Sequence, residues 1–335
     1  MINVGVIGYG YWGPNLVRNF VANPDCRVTM VCDRDTARLG QVQALYPAIR
    51  PTVSSQELIE DPEVDAVVIS TPVETHFPLA MAALEAGKHV LVEKPISSTS
   101  DQARRLIDEA GKRDLVLMVD HTFVYTGAVR KLHELVRTDA FGPVRYYDST
   151  RVNLGLFQPD VNVLWDLAVH DLSIMDHVLE GSPIAVSATG QSLIPGQPEY
   201  AAFLTLFFAN DMIAHINVNW LSPVKIRRTL VGGDRQMIVY DDLETSEKVK
   251  LYDKGITVTP TPEQVHKLLI SYRTGDLWSP NLPATEALAV EAAHFAACIR
   301  GDEKPITGGV AGLGIVRILE AADQSIRQRG APVEL

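Results

Sequence analysis

Cysteine is scarce in this chain of 335 residues, and Cys26, Cys32 and Cys298 show no metal-ligand spacing. An odd, scattered set of thiols argues against a disulfide framework or a structural zinc site and fits core thiols in a reducing cytoplasm. Long apolar runs are also missing: none reaches the roughly 18 residues of a spanning helix. The chain enters a strand-like run at Ile2 without the basic, apolar and small-residue parts of a secretory leader. Positive charge is in deficit, with 30 Lys+Arg against 41 Asp+Glu and a formal net charge of −11. Such a chain gains no general attraction to nucleic acid or to an anionic membrane, so neither is an expected partner. An anionic ligand must be met by local basic groups or helix N-termini. Internal repeats and low-complexity segments are absent. What remains is ordinary globular composition, 46% hydrophobic and 21% charged, in a chain long enough for two full cores.

The first third alternates β-branched runs with helical patterns. INVGVIG (2–8), RVTMVCD (27–33), DAVVIS (65–70), HVLVE (89–93) and LVLMVD (115–120) read as buried strands, with THFPLAMAALEAG (75–87) and SDQARRLIDEAGKR (100–113) as amphipathic helices. This alternation predicts an α/β domain on a doubly wound parallel sheet. After about residue 122 the pattern changes. A helix, TGAVRKLHELVR, leads into PVRYYDSTRV. Strand-like runs then follow near 184–193, 200–208, 212–220, 224–231, 236–241 and 247–252, and two helices near 285–300 and 309–329 close the chain. Consecutive strands without helices predict an α+β domain on a large, open, mostly antiparallel sheet. The expected domains are therefore 1–121, binding a nucleotide, and 122–335, binding substrate. An open sheet needs a cover for its free face, so a homodimer or homotetramer is expected.

GVIGYGYWGPN places Gly8-x-Gly10-x-x-Gly13 between a strand and a helix, with Pro14 near the first helical position, where its missing N–H costs little. Asp33 ends the next strand, 20 residues beyond Gly13, where a carboxylate can hold the adenosine ribose hydroxyls. Glycines there allow a tight turn and close approach of the backbone to a pyrophosphate seated on the helix N-terminus. Asp33 would repel a 2′-phosphate, which favours NAD over NADP. Arg34 could instead accommodate that phosphate or stack on adenine. STPVETH (70–76) and VEKPIS (92–97) follow strand ends on the same edge of the sheet. Thr71, Pro72 and His76 could line the nicotinamide end, and Lys94 is a candidate for substrate contact. The cofactor set read from these segments is Gly8, Gly10, Tyr11, Trp12, Gly13, Asp33, Arg34, Ser70, Thr71, Pro72, His76, Glu93, Lys94 and His121.

NVLWDLAVHDLSIMDHV (162–178) gathers three acids and two histidines. At about 100° per residue, Asp166, His170, Ser173 and His177 share a stripe about 60° wide, opposite Ala168, Leu172, Met175 and Leu179. The bland reading is a solvated face. A metal site needs three ligands and supporting contacts, and no HExxH or nearby cysteine is present. Proton transfer fits better. Hydride removal from an alcohol needs a base, histidine titrates near neutrality, and a carboxylate one turn earlier can orient it. Asp166 and His170 are the expected pair. Asp171 and Asp176 lie off the stripe and read as surface charges, and His177 as a surface or supporting residue.

The glycine motif, TPVETH, EKP and the Asp166-x-x-x-His170 helix, in this order, resemble the glucose–fructose oxidoreductase/inositol dehydrogenase (Gfo/Idh/MocA) family over essentially the whole chain. The resemblance implies a Rossmann domain and an NAD(P)-dependent reaction on a secondary alcohol of a sugar, cyclitol or related carbonyl compound. It also implies Lys94, Asp166 and His170 as the catalytic trio, and allows a cis Lys94–Pro95 bond. Ala168 departs from the glycine that many members carry between the Asp and the His.

GYWGPNLVRNF, STRVNLGLFQPDVNVLWDLAVHD and NWLSPVKIRR are similar to the branch acting on nucleotide-linked sugars, UDP-N-acetylglucosamine-type 3-dehydrogenases of amino-sugar synthesis among them. Arg151, Asn153, Lys225, Arg227 and Arg228 could then hold a pyrophosphate and sugar hydroxyls, together with Lys94 and His170. The bland alternative for the basic run is an exposed strand with protective charges. The rival functions are an inositol or free-sugar dehydrogenase, a 3-ketoreductase of a dTDP-deoxysugar, and a non-catalytic dinucleotide-sensing regulator. A regulator need not keep the trio.

Overall fold

A computed structural model describes residues 1–155, 161–253, 255–257, 271–273 and 275–335, without side-chain placement in 255–257 and 271–273. Residues 156–160 of the sugar-branch motif lie outside the described residues. In chain order the first elements are β1 (Ile2–Ile7), α1 (Gly13–Ala22), β2 (Cys26–Cys32), α2 (Thr36–Leu45), β3 (Arg50–Thr52), α3 (Ser55–Glu60), β4 (Ala66–Ile69), α4 (His76–Glu85), β5 (His89–Glu93), α5 (Ser100–Lys112) and β6 (Leu117–Asp120). Then come α6 (Gly127–Val136), β7 (Val144–Leu154), α7 (Val169–Val178), β8 (Ala185–Gln191), β9 (Ala201–Phe207), β10 (Ile213–Asn219), β11 (Leu221–Gly233), β12 (Met237–Asp241) and β13 (Val249–Tyr252). The last are β14 (Gly255–Thr257), β15 (Ser271–Arg273), β16 (Leu277–Trp278), α8 (Ala287–Arg300), α9 (Gly309–Arg327) and β17 (Val333–Glu334).

The chain divides into two compact units, Met1–Thr126 with Thr285–Glu320, and Gly127–Ala284 with Ala321–Leu335. The first unit thus runs past the expected cut at 121/122 to Thr126, and α8 and most of α9 return to it. The reason is packing. Leu288, Ala292, Phe295 and Ala296 of α8 join the core that covers one face of β1, with Phe295 edge-on to Phe20 of α1 at 6.2 Å. Order along the chain does not say which core a closing helix will join.

The first unit is a six-stranded parallel sheet in the order β3-β2-β1-β4-β5-β6. Its strands are near-continuous apolar runs (AVVI in β4 is wholly buried) because helices cover both faces. Cys26, Cys32 and Cys298 lie in this core, where burial pushes each thiol up to about 11. β3, only RPT, is too short for periodicity to signal.

The second unit is a nine-stranded sheet ordered β16-β13-β12-β11-β7-β10-β9-β8-β17. It is antiparallel except where β10 lies parallel to β7. Alternation sets its two faces. Tyr147, Ser149 and Arg151 of β7 turn inward with Leu204, Ile216 and Val218 and are buried. Tyr146, Phe203 and Ile213 turn outward and are exposed by 37%, 48% and 48%, a face that nothing in this chain covers among the described residues.

Candidate active site

In the first unit, the turn after β1 needs its glycines for distinct reasons. Gly8 has φ +99°, and a Cβ there would stand 2.4 Å from the Ser70 carbonyl oxygen. A Cβ at Gly13 would meet the Gly8 carbonyl oxygen at 2.2 Å. At Gly10 the surroundings are open, with only Arg38 Nη1 near, at 3.5 Å. α1 begins without a side-chain cap and without an acid in its first turn. Its first N–H groups are thus free of protein anions, as a pyrophosphate site requires. Asp33 Oδ2 accepts the Tyr9 N–H at 2.6 Å, Oδ1 accepts that of Asp35 at 2.8 Å, and Arg38 Nη1 is 3.5 Å from Oδ2. The carboxylate is fixed against the turn, with Arg34 and Arg38 exposed beside it. These residues fit a dinucleotide: Gly10 leaves room, α1 offers donors, and Asp33 directly follows β2, where a ribose carboxylate is expected. Tyr11 is 90% exposed.

At the carboxyl ends of β4, β5 and β6 the remaining predicted residues of this unit gather. Ser70 donates its hydroxyl to the Gly8 carbonyl at 2.8 Å. The Lys94–Pro95 bond is cis, and the Lys94 N–H donates to its neighbour Glu93 Oε2 at 2.8 Å. His76 was expected at the nicotinamide. Instead it is 1% exposed, with Nδ1 2.8 Å from the Pro95 oxygen and Nε2 2.7 Å from the Thr71 oxygen. It brackets two loops rather than lining a site. Burial, opposed by those two carbonyls and aided by the charge of Lys94, holds its pKa below the ordinary value. A neutral ring donates to one carbonyl only. His121 is likewise buried, its ring making no hydrogen bond among the described residues, and burial lowers it to about 4.

Behind them lies a set of acids. Asp120 accepts from the Trp12 indole at 2.9 Å and from the Thr122 hydroxyl. Glu291 of α8 is 1% exposed and lies beside the Asp120 carboxyl. Burial first, then the Asp120 carboxyl, raises both Glu93 and Glu291 well above the ordinary glutamate range.

In the second unit the expected helix is not regular. Leu164–Ala168 forms a π turn before α7, so the uniform projection fails at Asp166. The turn is tethered from outside. Asn162 donates to Asp323 at 2.8 Å and to Glu199 at 3.0 Å, and the Trp165 indole reaches Asp323 at 2.8 Å. Asp166 is half-buried and accepts from the Trp220 indole at 3.0 Å. His170, one turn on, is half-buried with Nδ1 buried, and its carbonyl accepts from Ser173 at 2.7 Å. Ser173, assigned to the wet stripe, is buried, as are Ala168, Leu172, Met175 and Leu179 opposite.

Asp171 is not a surface charge. It is 2% exposed and pairs with Arg151 at 2.6 Å, also receiving the Ser149 hydroxyl at 2.6 Å. Arg151, 3% exposed, is thereby a strut between β7 and α7 rather than a substrate contact, since a buried arginine is kept charged by its partner. Asp176 is exposed, as expected. His177 is half-buried and stacks on His133 at 4.3 Å. The basic run also separates. Arg227 faces inward opposite Arg151 and pairs with Asp242 at 3.1 Å, while Arg228 faces outward opposite Thr150. Lys225 is exposed in a bulge, Ser222–Lys225, that stands opposite Asn153.

Lys94 thus belongs to the first unit, and Asp166 and His170 to the second. Among the described residues no group of three or more His, Cys, Asp or Glu side chains is placed to hold a metal ion.

Comparison with known proteins decides the relationship. The family described as "Oxidoreductase family, NAD-binding Rossmann fold" (GFO_IDH_MocA) matches residues 2–121, and the GFO/IDH/MocA C-terminal domain matches 129–239. The chain belongs to the GFO/IDH/MocA oxidoreductase family. An uncharacterized oxidoreductase of Escherichia coli, YdgJ, is 30% identical over 74% of this chain and 73% of its own. The UDP-N-acetylglucosamine 3-dehydrogenase of Acidithiobacillus ferrooxidans is 28% identical over 96% of both chains, and its solved structure superposes with a TM-score of 0.81 over 97% of this chain and 99% of its own. GenD2 from gentamicin A biosynthesis, solved with NAD, is 25% identical with a TM-score of 0.83, covering 100% of this chain and 96% of its own.

This GFO/IDH/MocA protein is an NAD(P)-dependent oxidoreductase acting on CH–OH groups. Four residues that pack against these candidate groups escaped the sequence reading. Arg38 lies in the first turn of α2, where a basic residue within reach of Asp33 was a usable signal. Asp120 directly precedes His121 at a strand end. Glu291 carried a faint signal, an acid on the apolar face of a closing helix. Trp220 had none, because its bond to Asp166 spans 54 residues.

Proposed function

We propose that the protein is an NAD-dependent dehydrogenase that oxidises, or in reverse forms, the C3 secondary alcohol of a nucleotide-linked sugar such as UDP-N-acetylglucosamine. The observation that carries the chemistry is the Asp166–His170 pair at the start of a helix whose first turn is anchored by side chains. Bound nicotinamide supplies the hydride acceptor. His170 takes the hydroxyl proton, through Nε2 because Nδ1 is buried. Lys94 donates a hydrogen bond to the same oxygen, and Asp166 orients the imidazole. In the reductive direction the same groups return the proton. The sugar-nucleotide assignment rests on the relative aligned over 96% of the chain and on Lys225 and Asn153, which remain available for pyrophosphate and hydroxyl contacts once Arg151 is set aside.

Support for NAD over NADP is the Asp33 carboxylate at the ribose position, which repels a 2′-phosphate. The uncovered outer face of the nine-stranded sheet supports a homodimer or homotetramer, which light scattering checks. No described helix is long and apolar enough to cross a membrane, and the buried thiols fit a cytoplasmic setting. The test is NADH absorbance with a panel of UDP-sugars, dTDP-sugars and inositols, NADP run beside NAD. His170→Ala and Lys94→Ala should each lower kcat by about 10²–10⁴. Near-normal turnover in both would sink the mechanism, and preference for a free inositol would sink the substrate class.

A further inference from the structure

We propose that Trp220 is a positioning residue for Asp166, and that Gly155 is the residue that lets its indole sit where it does. The inference rests on the catalytic reading of Asp166 and His170 above. Trp220 is fully buried, at 0% exposure, and spends its single N–H on Asp166 Oδ2 at 3.0 Å. An indole donates and cannot accept, so the contact fixes a carboxylate oxygen as the acceptor.

The ring has little freedom to move. The backbone N–H of Trp220 donates to the Tyr200 carbonyl oxygen at 2.9 Å, its backbone carbonyl accepts from the Gly155 N–H at 3.1 Å, and its ring lies 6.1 Å from that of Tyr200. A Cβ at Gly155 would stand 2.4 Å from Trp220 Cδ1, so any larger residue there must displace the indole.

The placement matters because Asp166 sits in a π turn, where backbone geometry alone aims the side chain loosely. The neighbouring Trp165 is tied to Asp323, and Asp166 to Trp220, so two consecutive side chains of the turn are held by separate partners. Tying Oδ2 fixes the plane and direction of the Asp166 carboxylate, and with it the way this group meets the base.

The test is a double-mutant cycle with NAD and whichever substrate of the panel the wild-type protein turns over fastest. Trp220→Phe should lower kcat about 10- to 100-fold, as expected for one hydrogen bond to a charged group, with KM for substrate and NAD changed less than about threefold. In an Asp166→Asn background the same change should lower kcat less than about twofold, because Trp220 acts through that carboxylate. Gly155→Ala, which displaces the indole without removing it, should reproduce the kcat effect and its loss in the Asp166→Asn background, and decides the matter if Trp220→Phe does not fold. Wild-type kcat in Trp220→Phe, or an equal drop with and without Asp166, overturns the inference while leaving the catalytic reading intact. Wild-type turnover in Asp166→Asn, or no turnover of any panel member, overturns both.

Discussion

In the first unit, the groups assigned to the cofactor sit at the carboxyl ends of parallel strands, and most of what fixes them is backbone. Gly8 packs on the Ser70 carbonyl, Asp33 holds two backbone N–H groups, and His76 brackets the carbonyls of Thr71 and Pro95. In the second unit, Asp166 and His170 sit at an irregular helix start and are held by side chains from distant positions. Trp220 holds Asp166, Asp323 holds Asn162 and Trp165, and Arg151 holds Asp171. A βα turn between covered strands has few alternative shapes, so glycine and a few local bonds define it. A helix lying on an open sheet is free to slide or rotate, so its register needs partners that reach across the unit. Placing a base by side chains allows its surroundings to vary without rebuilding the scaffold.

The sharpest way to break this contrast is in the first unit. Gly8→Ala forces a side chain into positive φ and against a backbone oxygen, and should destabilise the protein by about 4–5 kcal/mol and abolish NAD binding. Gly10→Ala meets only Arg38 and should leave the melting temperature within about 2 °C while weakening NAD binding at least tenfold, if the pyrophosphate lies over that glycine. Calorimetry and a fluorescence titration with NAD separate the two. Equal melting temperatures for both variants would show that the turn is less constrained than argued.

The matching test of the second unit is Arg151→Ala, which strands a buried Asp171 carboxylate. It should cost about 3–5 kcal/mol, whereas Arg151→Met with Asp171→Leu should recover most of that loss. If the single variant melts like the wild type, the strut between β7 and α7 contributes nothing.

The smallest effect is the pH response, and its sign should differ between the units. Glu291, beside Asp120 and Glu93, is held above the ordinary 4.5 when folded. Its share of stability is therefore full below about 4.5 and is lost as pH rises beyond it. His177 is pushed down from 6.5 to about 4, first by burial and then by His133, Arg137 and Arg130. Its share is full above 6.5 and is lost as pH falls from there toward about 4. Glu291→Gln should raise the melting temperature by about 2–4 °C at pH 8 and little at pH 4.5. His177→Phe, keeping the stack on His133, should flatten the acid side instead. Variants that shift the curve equally at both ends would contradict these assignments.

Much of the fold was legible. The alternation of apolar runs and helices located five of the six parallel strands, and the later runs near 200–208 and 212–220 match β9 and β10. β3 escaped because three residues carry no period, and α8 and most of α9 were given to the wrong unit because amphipathicity tells that a helix packs, not where. In the candidate site, Gly8, Gly13 and Asp33 could be proposed from sequence because a glycine-rich turn between a strand and a helix, with an acid ending the next strand, is a recurrent spacing. His76, Arg151 and Asp171 were misread because burial and partner are not local properties. Asp171 and Asp176 look alike in sequence, yet one is buried against Arg151 and the other is exposed.

The sequence by itself therefore determined what depends on local geometry and period: a strand–turn–helix with glycines where side chains would collide, an acid at the next strand end, and a helix bearing Asp166 and His170. Only the tertiary structure decided which charges face the interior and which indole meets which carboxylate. Desolvation and pairing across 20 to 161 residues set those outcomes, as in Arg151–Asp171 and Asn162–Asp323, and no window of sequence contains both partners together with the burial that couples them.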